Sequence, residues 1–348
     1  MSIVLITGSH GLVGSESCFF FLKKGYEVIG IDNNIRKRFF GNDGNTNWIK
    51  KRLNKIKNYK HYNFDIRDEL RLKKLFHKYN KNISIIIHAA AQPSHDYAKD
   101  NIYLDFEINT KGSLNIFNNA HKFCPKAKII HLSSNKVYGD NPNKFSFIES
   151  KTRIEPINKK IKKNGFDENL NVDNSVHSFF GISKIYSDLL AQEYGKIYGL
   201  KIGIFRAGCL TGPNHSGASL HGFLSYLIKS CIVNKKYNII GFKGKQVRDN
   251  LHSFDLINAF WEFIKKPKKG EVYNIGGGKY SNCSILEALN YIKTKTKNKI
   301  EITFNNSNRI GDHIWYISDL TKFKKDYPKW TISYKTKSII NEIIDKYK

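Results

Sequence analysis

Three glycines near the amino terminus have the spacing of a phosphate-binding turn. Gly8, Gly11 and Gly14 follow the apolar run Ile3–Thr7, and a helix is predicted to begin near Leu12. Glycines at these positions permit a tight turn, a close approach of the backbone to a pyrophosphate, and packing of the helix on the strand. The first N–H groups of the helix would face the phosphates with the positive end of its dipole. The turn therefore predicts a dinucleotide-binding site.

A carboxylate follows the second predicted strand and favours one dinucleotide. Glu27–Ile31 ends at Asp32, where a carboxylate would accept hydrogen bonds from a ribose diol and repel a 2′-phosphate. This favours NAD over NADP, although Arg36 could serve a 2′-phosphate and keeps NADP as the alternative. Asp65–Ile66 closes the third strand, either to hold the adenine or simply to cap the strand. We expect NAD as the cofactor.

The elements that position these residues form an alternating pattern. Short apolar runs rich in β-branched residues are separated by helical patterns, which predicts an α/β fold with a doubly wound, Rossmann-type parallel sheet. The predicted strands are Ile3–Thr7, Glu27–Ile31, Lys60–Phe64, Ile83–His88, Ala127–Leu132, Lys201–Phe205 and Val272–Ile275. We expect residues 1–206 to form the NAD-binding domain, with the strand near 272–275 returning to it, and residues 207–348 to form mainly a smaller substrate lobe. Two long segments, residues 33–58 and 140–177, interrupt this alternation, and loops of such length in a compact domain are usually functional.

Composition limits the class of protein. The 348 residues carry 58 Lys and Arg against 30 Asp and Glu, a net charge of +28, but the basic clusters are scattered. A nucleic-acid partner is therefore not expected, whereas an anionic substrate would benefit from the positive field. Five widely spaced cysteines argue against a disulfide framework and a zinc site, and indicate the cytoplasm. We expect no signal peptide, membrane span or metal site.

The order of the motifs resembles the extended short-chain dehydrogenase/reductase family. The glycine turn, Asp65–Ile66, the run His88–Ala91, Ser133–Ser134 before Val137–Gly139, and Lys184 all fall in that family's order. The resemblance covers nearly the whole chain. It implies these cofactor contacts: Gly8, Gly11, Leu12, Val13, Gly14, Asp32, Asn33, Asn34, Arg36, Asp65, Ile66, Ala89, Ala90, Ala91, Asn109, Ser133, Lys184 and Arg206.

The resemblance also implies a reaction centre, and one member of it is replaced. Family members use a Ser or Thr, a Tyr and a Lys, with Tyr and Lys one helical turn apart; the Lys lowers the phenol's pKa and holds the nicotinamide ribose. Here Ser134 and Lys184 match, but Phe180 stands where the tyrosine is expected. Phenylalanine cannot transfer a proton. The site either recruits another acid/base, binds without turnover, or leaves proton transfer to Lys184, a water or the substrate.

Three residues are candidates for the recruited acid/base. Cys209 follows the strand Lys201–Phe205 in a loop that lines the substrate cleft in this family, and a thiol beside a lysine can have a lowered pKa. His177 lies one turn before the motif, and Lys136 follows Ser134. A buried packing cysteine and a loop histidine are the structural alternatives for the first two.

Further motifs are similar to the CDP-paratose 2-epimerase branch of the family. They are Ser134–Pro142, Cys209–Gly217, Gly244–Asp249 and Asn308–His313. The branch implies oxidation of C2 of a hexose by tightly held NAD, followed by return of the hydride to the other face of the ketone. The 4,6-dehydratases place an acidic pair where Asn135 and Lys136 stand, so dehydration is not expected.

The branch also implies a nucleotide-diphosphate sugar as substrate. Arg248 and Arg309 match positions that grip the diphosphate, for which a guanidinium is suited; the alternative is an ion pair with Asp249 or Asp312. The expected substrate contacts are Gln92, Ser134, Asn135, Lys136, Asn214, His215, His221, Gln246, Arg248, Arg309 and Asp312. The expected function is C2 epimerisation of a CDP-hexose by a homodimer. The alternatives are a 4-epimerase, decarboxylase or reductase, or a catalytically silent NAD-binding scaffold.

Overall fold

A seven-stranded parallel sheet forms the centre of the molecule. The computed structural model describes residues 2–298, 300–305 and 309–347. Within these residues the strands are β1 Ile3–Thr7, β2 Glu27–Ile31, β3 Tyr59–Tyr62, β4 Ile83–His88, β5 Lys128–Ser134, β6 Phe147–Glu149, β7 Ile154–Pro156, β8 Lys201–Ala207, β9 Cys209–Thr211, β10 Tyr237–Ile240, β11 Val247–His252, β12 Glu271–Ile275, β13 Asn282–Ser284, β14 Ile302–Asn305 and β15 Trp315–Tyr316. The strand order in the large sheet is β12-β8-β5-β4-β1-β2-β3. This confirms the predicted Rossmann-type α/β fold.

Helices cover both faces of the sheet and build a separate lobe. They are α1 Leu12–Lys23, α2 Arg36–Phe40, α3 Asn47–Leu53, α4 Glu69–Tyr79, α5 His95–Asp100, α6 Ile102–Phe106, α7 Gly112–Phe123, α8 Lys159–Asn164, α9 Phe179–Tyr198, α10 Phe223–Ile232, α11 Ser253–Lys265, α12 Ile285–Thr296, α13 Thr321–Asp326 and α14 Thr336–Lys346. One apolar core includes Phe21 and Phe260, and the core on the other face includes Phe76 and Phe117. A third core joins α10, α12 and α14 away from the sheet.

The predicted strands occur, with ends set by their partners. The third strand was expected at Lys60–Phe64 but stops at Tyr62, because Tyr62 pairs with Ile31, the last residue of β2. The fifth strand instead continues past Leu132 to Ser134, because β8 extends beside it as far as Ala207. The strand β12 pairs in parallel with β8 at the edge of the sheet.

Helix α9 is fixed at both ends by its own sequence. The Ser178 side chain accepts a hydrogen bond from the Gly181 N–H, and Gly199 ends the helix in the left-handed conformation. The buried face of α9 includes Phe180 and Lys184. The helix therefore presents the two positions of the expected reaction centre at the carboxyl edge of the sheet.

Candidate active site

A cavity of about 630 Å³ extends along the carboxyl ends of the strands and under the lobe. Open α/β sheets bind ligands at this edge. Of the predicted residues, it is lined by Gly8, Gly11, Leu12, Val13, Asp32, Asn33, Arg36, Asp65, Ile66, Ala89, Ala90, Ala91, Ser133, Ser134, Asn135, Lys136, Phe180, Lys184, Cys209, His215, His221, Gln246, Arg248, Arg309 and Asp312. The fold thus brings together residues that are up to about 300 positions apart in the sequence.

The glycine turn fits a pyrophosphate. Gly11 is the N-cap of α1, and no side chain caps the helix there. A Cβ on Gly11 would meet only the Gly8 carbonyl oxygen at 3.4 Å, whereas a Cβ on Gly14 would lie 2.0 Å from that oxygen. The uncapped N–H groups of the first turn are therefore accessible at the cavity wall. Gly14 was expected to contact the cofactor as well as to permit packing of the helix; the close approach of α1 to the turn after β1 agrees with the packing role, and Gly14 does not line the cavity in the described part of the chain.

Asp32 is held as a carboxylate at the cavity. Its two oxygens accept hydrogen bonds from the backbone N–H of His10 at 2.9 Å and of Asn34 at 2.7 Å. Burial alone would raise the pKa of Asp32, but the hydrogen bonds and the His10 side chain outweigh it and lower the pKa. A charged acceptor therefore faces the position expected for a ribose diol.

Arg36 connects the excursion after β2 to the lobe. Its guanidinium donates to the Ser216 carbonyl oxygen at 2.9 Å and lies over the Phe40 ring. Trp48 Nε1 also donates to the Ser216 hydroxyl oxygen at 3.1 Å. We call these contacts between residues 36–48 and Ser216 the clasp. Because Arg36 is engaged in the clasp, it is less available to a 2′-phosphate.

The expected reaction centre is assembled without a phenol. Phe180 is buried and lines the cavity together with Ser134 and Lys184. Lys184 Nζ donates to the Leu132 carbonyl oxygen at 2.7 Å. Burial lowers the pKa of Lys184 to about 8, against the opposing attraction of Asp188 and Asp105.

Lys136, Arg248 and Asp312 form a charge cluster that lines the same cavity. Asp312 Oδ1 accepts from Lys136 Nζ at 2.9 Å and from an Arg248 N–H at 2.7 Å. Burial would raise the pKa of Asp312, but the two cations hold it well below its ordinary value. Arg309 pairs with Asp96 at 3.1 Å. The arginines predicted to grip phosphate are therefore at the cavity, each paired with a carboxylate.

Two candidates for the acid/base are not supported by their surroundings. Burial raises the pKa of the Cys209 thiol to about 12, with Arg248 opposing, so the expectation of a lowered pKa is wrong. His177 makes a 2.8 Å hydrogen bond between Nε2 and the Val172 carbonyl oxygen and packs against Gly139. Among the described residues it is outside the cavity lining, as a loop hydrogen-bonding histidine would be.

Arg206 and Gln92 were expected at ligands but serve the protein interior. Arg206 donates through Nε and an Nη to both oxygens of Asp188, at 3.0 and 2.9 Å, and also to the Tyr138 hydroxyl. The neighbouring Ala207 lines the cavity instead, because side chains alternate along a strand. Gln92 donates to the Ser94 carbonyl oxygen and to Asp105, and accepts from the Ser94 N–H. Neither lines the cavity within the described ranges.

Three asparagines that were predicted to contact ligands instead form hydrogen bonds with other residues of the protein. Asn109 lies in a π-helical turn, Glu107–Lys111, and its side-chain amide donates to Asp105 and Ser183. Asn34 has a left-handed φ of 55° and ties down the residue 45–47 turn. Asn214 bonds to Arg52 and Glu16 on the outer side of the lobe loop. These three are likewise absent from the lining among the residues that the structure describes.

Sequence reasoning missed several residues of the cavity wall. The cavity is also lined by His95, Tyr226, Tyr237, Asn238 and Asn250. Gln246 Oε1 and Asn250 Oδ1 are buried and lack a hydrogen-bond partner within the described residues, so a ligand would satisfy them. Burial, with Lys136 nearby, lowers the pKa of His95 to about 4, which keeps its ring neutral. Asn250 lies in β11, two residues after Arg248 and four after Gln246, and this period-two spacing from two predicted contacts was the signal available beforehand.

Comparison with known proteins identifies the family. The model of the NAD dependent epimerase/dehydratase family matches residues 4–276, so the chain belongs to this family. It is 31% identical to CDP-paratose 2-epimerase of Salmonella typhi, over 92% of this chain and 91% of that one. It is 28% identical to UDP-glucuronate 4-epimerase of Thermodesulfobacterium geofontis, over 93% and 90%. The resemblance expected from the motifs is confirmed, and the cofactor of the family is NAD, as the glycine turn and Asp32 predicted.

Solved structures agree on the fold. The complex of Thermus thermophilus UDP-glucose 4-epimerase with NAD has a TM-score of 0.78 at 20% identity, covering 99% of this chain and 98% of that one. UDP-glucuronic acid 4-epimerase of Bacillus cereus also has a TM-score of 0.78, at 22% identity and the same coverage.

In the described part of the chain no helix has the length and apolarity required to cross a membrane, and no group of three or more His, Cys, Asp or Glu side chains is placed to hold a metal.

Proposed function

We propose that the protein epimerises a nucleotide-diphosphate hexose at C2, with a CDP-sugar as the preferred substrate. The observation that carries the proposal is the continuous cavity, which joins the glycine turn, the Ser134–Lys184 region and the arginines of the lobe. A dinucleotide and a nucleotide sugar would meet there end to end. The preference for C2 and CDP is supported by the 31% identity with CDP-paratose 2-epimerase.

The chain's own residues have separable roles in this proposal. NAD, when bound, supplies hydride transfer from and back to the sugar carbon. The glycine turn and Asp32 would hold its pyrophosphate and ribose, and Lys184 its nicotinamide ribose. Ser134 Oγ already accepts the Lys136 backbone N–H at 3.2 Å, which leaves its hydroxyl proton free to polarise a sugar oxygen. Arg309 would turn from Asp96 toward the diphosphate, and Arg248 would reach it with the N–H groups that Asp312 does not use.

Product analysis with isotope-labelled sugars tests the proposal. The purified protein is incubated with CDP-, UDP- and GDP-hexoses carrying deuterium at C2, and separately with UDP-glucuronate, which has a carboxylate to lose, and the products are read by NMR. We expect inversion at C2 of the CDP-sugar with the deuterium retained, because the hydride returns to the carbon that it left. Inversion at C4, loss of carbon dioxide or net reduction would identify one of the other activities. Binding of NAD without conversion of any nucleotide sugar would favour the silent scaffold.

A homodimer is the proposed assembly, supported by an apolar face outside the cavity. On α9, Phe179, Ile182, Tyr186 and Leu189 follow a helical spacing of three and four residues and are between 41% and 53% exposed. The neighbouring helix α6 adds exposed aromatic side chains. A second copy of the same helix pair would cover this surface. Light scattering of Leu189→Glu against the parent tests it, and a parent that is already monomeric contradicts the proposal.

The proposed compartment is the cytoplasm. All five cysteines are free thiols, and four of them are buried. Such thiols are compatible with a reducing environment.

A further inference from the structure

Lys136 lies between the positions of the expected serine and tyrosine. Its backbone N–H donates to Ser134 Oγ at 3.2 Å. Its carbonyl oxygen lies against Gly181, where a Cβ would come within 2.9 Å of it. Gly181 directly follows Phe180 on α9, and Ser134, Phe180 and Lys136 all line the same cavity. Lys136 is therefore anchored to both parts of the incomplete reaction centre.

The contacts of its ammonium make Lys136 the group that can change charge. Lys136 Nζ donates to Asp312 Oδ1 and to the Gly311 carbonyl oxygen, both at 2.9 Å. The same carboxylate oxygen accepts from Arg248 at 2.7 Å. Two cations thus share one anion. Arginine stays protonated in proteins, so loss of a proton from Lys136 would leave a neutral Arg248–Asp312 pair.

Burial and neighbouring charges act on the same amine. Burial lowers the pKa of Lys136 from its ordinary value; Asp312 opposes this and Arg248 adds to it. Its side chain is only 15% exposed. The other titratable groups that interact with it are Cys209, His95 and His313. Lysine amines that lose solvation in this way can serve as general bases.

We propose that Lys136 is the acid/base for the sugar hydroxyl, in place of the missing tyrosine. The inference rests on the proposed function, because it names the proton carrier of that reaction. The unprotonated amine takes the hydroxyl proton while the hydride leaves the same carbon for NAD, and the carbon–oxygen double bond forms. On return, the ammonium gives the proton back to the oxygen as the hydride is restored. Asp312 and Arg248 position the amine.

Lys184 is the main competitor for this role, and its contacts distinguish it. Its Nζ donates to the Leu132 carbonyl oxygen, at the end of β5. Asp188 and Asp105 attract Lys184 without a direct hydrogen bond to its amine among the contacts described, whereas Asp312 accepts directly from Lys136 Nζ. The position of Lys184 one turn after Phe180 suits the ribose. Lys184 as the proton carrier is therefore treated as an outcome that would overturn the inference.

Substitution with amine rescue is the first test. In Lys136→Ala we expect kcat to fall by about 100- to 10,000-fold, the usual range for a general acid/base. Added methylamine or ethylamine should restore part of the lost kcat, and the extent of the rescue should depend on the pKa of the added amine. Lys136→Arg should remain inactive, because arginine keeps the charge but does not release the proton. Full activity of Lys136→Arg, or rescue of Lys184→Ala but not of Lys136→Ala, would overturn the inference.

A matched control is available on the other side of the cavity. Lys236 also lines it but is 57% exposed and pairs with Glu301 at 2.8 Å. Amines should have no effect on Lys236→Ala. If they accelerate Lys236→Ala as strongly as Lys136→Ala, the rescue is unspecific and the inference fails.

A second test does not depend on any substrate. Competitive acetylation with acetic anhydride, read by mass spectrometry across pH, reports the pKa of each lysine in the holoenzyme. Lys136 should react at lower pH than Lys236, and Asp312→Asn should lower the pKa of Lys136 further, because it removes the attraction of the carboxylate. If Lys136 titrates with Lys236, the inference is wrong whatever the substrate. If Lys136 titrates as expected but no nucleotide sugar is converted, it is the proposed function that fails.

Discussion

The two halves of the cavity are built in different ways. In the cofactor half, several expected contacts lie directly after strands of the parallel sheet: the glycine turn after β1, Asp32 after β2 and Ala89–Ala91 after β4. In the substrate half, the contacts come from lobe segments that are far apart, such as Gln246–Asn250 and Arg309–Asp312. The cofactor half offers backbone N–H groups, and the substrate half offers charged side chains that are already paired. Local turns would thus hold the cofactor, while paired charges would exchange partners when a substrate enters.

The strongest test of this comparison is Arg206, a buried residue that lines neither half of the cavity in the described part of the chain. In Arg206→Met, Asp188 would be left as a buried carboxylate that is 1% exposed. Breaking such a pair costs about 3–5 kcal/mol of unfolding free energy. Urea unfolding followed by circular dichroism measures the loss. The control Arg71→Met removes an exposed pair with Asp68 and should cost less than about 1 kcal/mol.

The same variant decides whether Arg206 contacts the cofactor. Because Arg206 does not line the cavity in the described ranges, the folded protein should bind NAD within about threefold of the parent. A stable Arg206→Met that has lost NAD would restore the cofactor role expected from the sequence.

A substitution in the cofactor half should weaken NAD binding without unfolding the protein. Asp32→Asn removes the charge that would accept the ribose hydroxyls, and hydrogen bonds to charged groups contribute about 1.5–3 kcal/mol. We expect NAD affinity to fall by about 10- to 150-fold in a calorimetric titration. Asp68→Asn, at the same edge but outside the cavity lining described, serves as the control. Equal losses in the two variants would contradict a specific ribose contact.

The clasp joins the two halves and should control how slowly NAD leaves. Ser216→Ala removes the hydrogen bond from Trp48 and the one donated to the Asn45 carbonyl oxygen. Two hydrogen bonds of this kind contribute about 1–3 kcal/mol, so we expect NAD dissociation to accelerate by about 5- to 150-fold. The measurement is a chase of labelled NAD from the holoenzyme. Ser338→Ala removes only a local bond on α14 and should leave the rate as it is.

The smallest effect is expected at Cys209. With a pKa raised to about 12 by burial, its thiol stays protonated at neutral pH, so Cys209→Ala should turn over within about threefold of the parent. We would measure the initial rate with the nucleotide sugar that is converted fastest in the labelling experiment. The comparison is Ser134→Ala, which removes a proposed substrate contact. A drop of more than about tenfold with unchanged NAD binding would return Cys209 to the reaction.

Sequence alone was most informative where function depends on local structure. The glycine turn, Asp32 and the approximate positions of the strands could be predicted because a strand and the turn after it are neighbours in both sequence and space. The identity of Phe180 was also visible, and with it the loss of the usual proton carrier. The exact strand ends were not visible, since β3 and β5 end where their partners end.

Tertiary structure decided what the charged residues do. Only the fold places Asp312 between Lys136 and Arg248, which are 176 and 64 positions away from it in sequence. It also directs Arg206 toward Asp188 and away from the cavity, while the adjacent Ala207 faces the ligand side. The sequence therefore determined that NAD would be bound and that tyrosine was missing. Burial and long-range pairing decided which amine is placed to replace the tyrosine. Both set the free energy of a charged group, and neither can be predicted from neighbouring residues in the sequence.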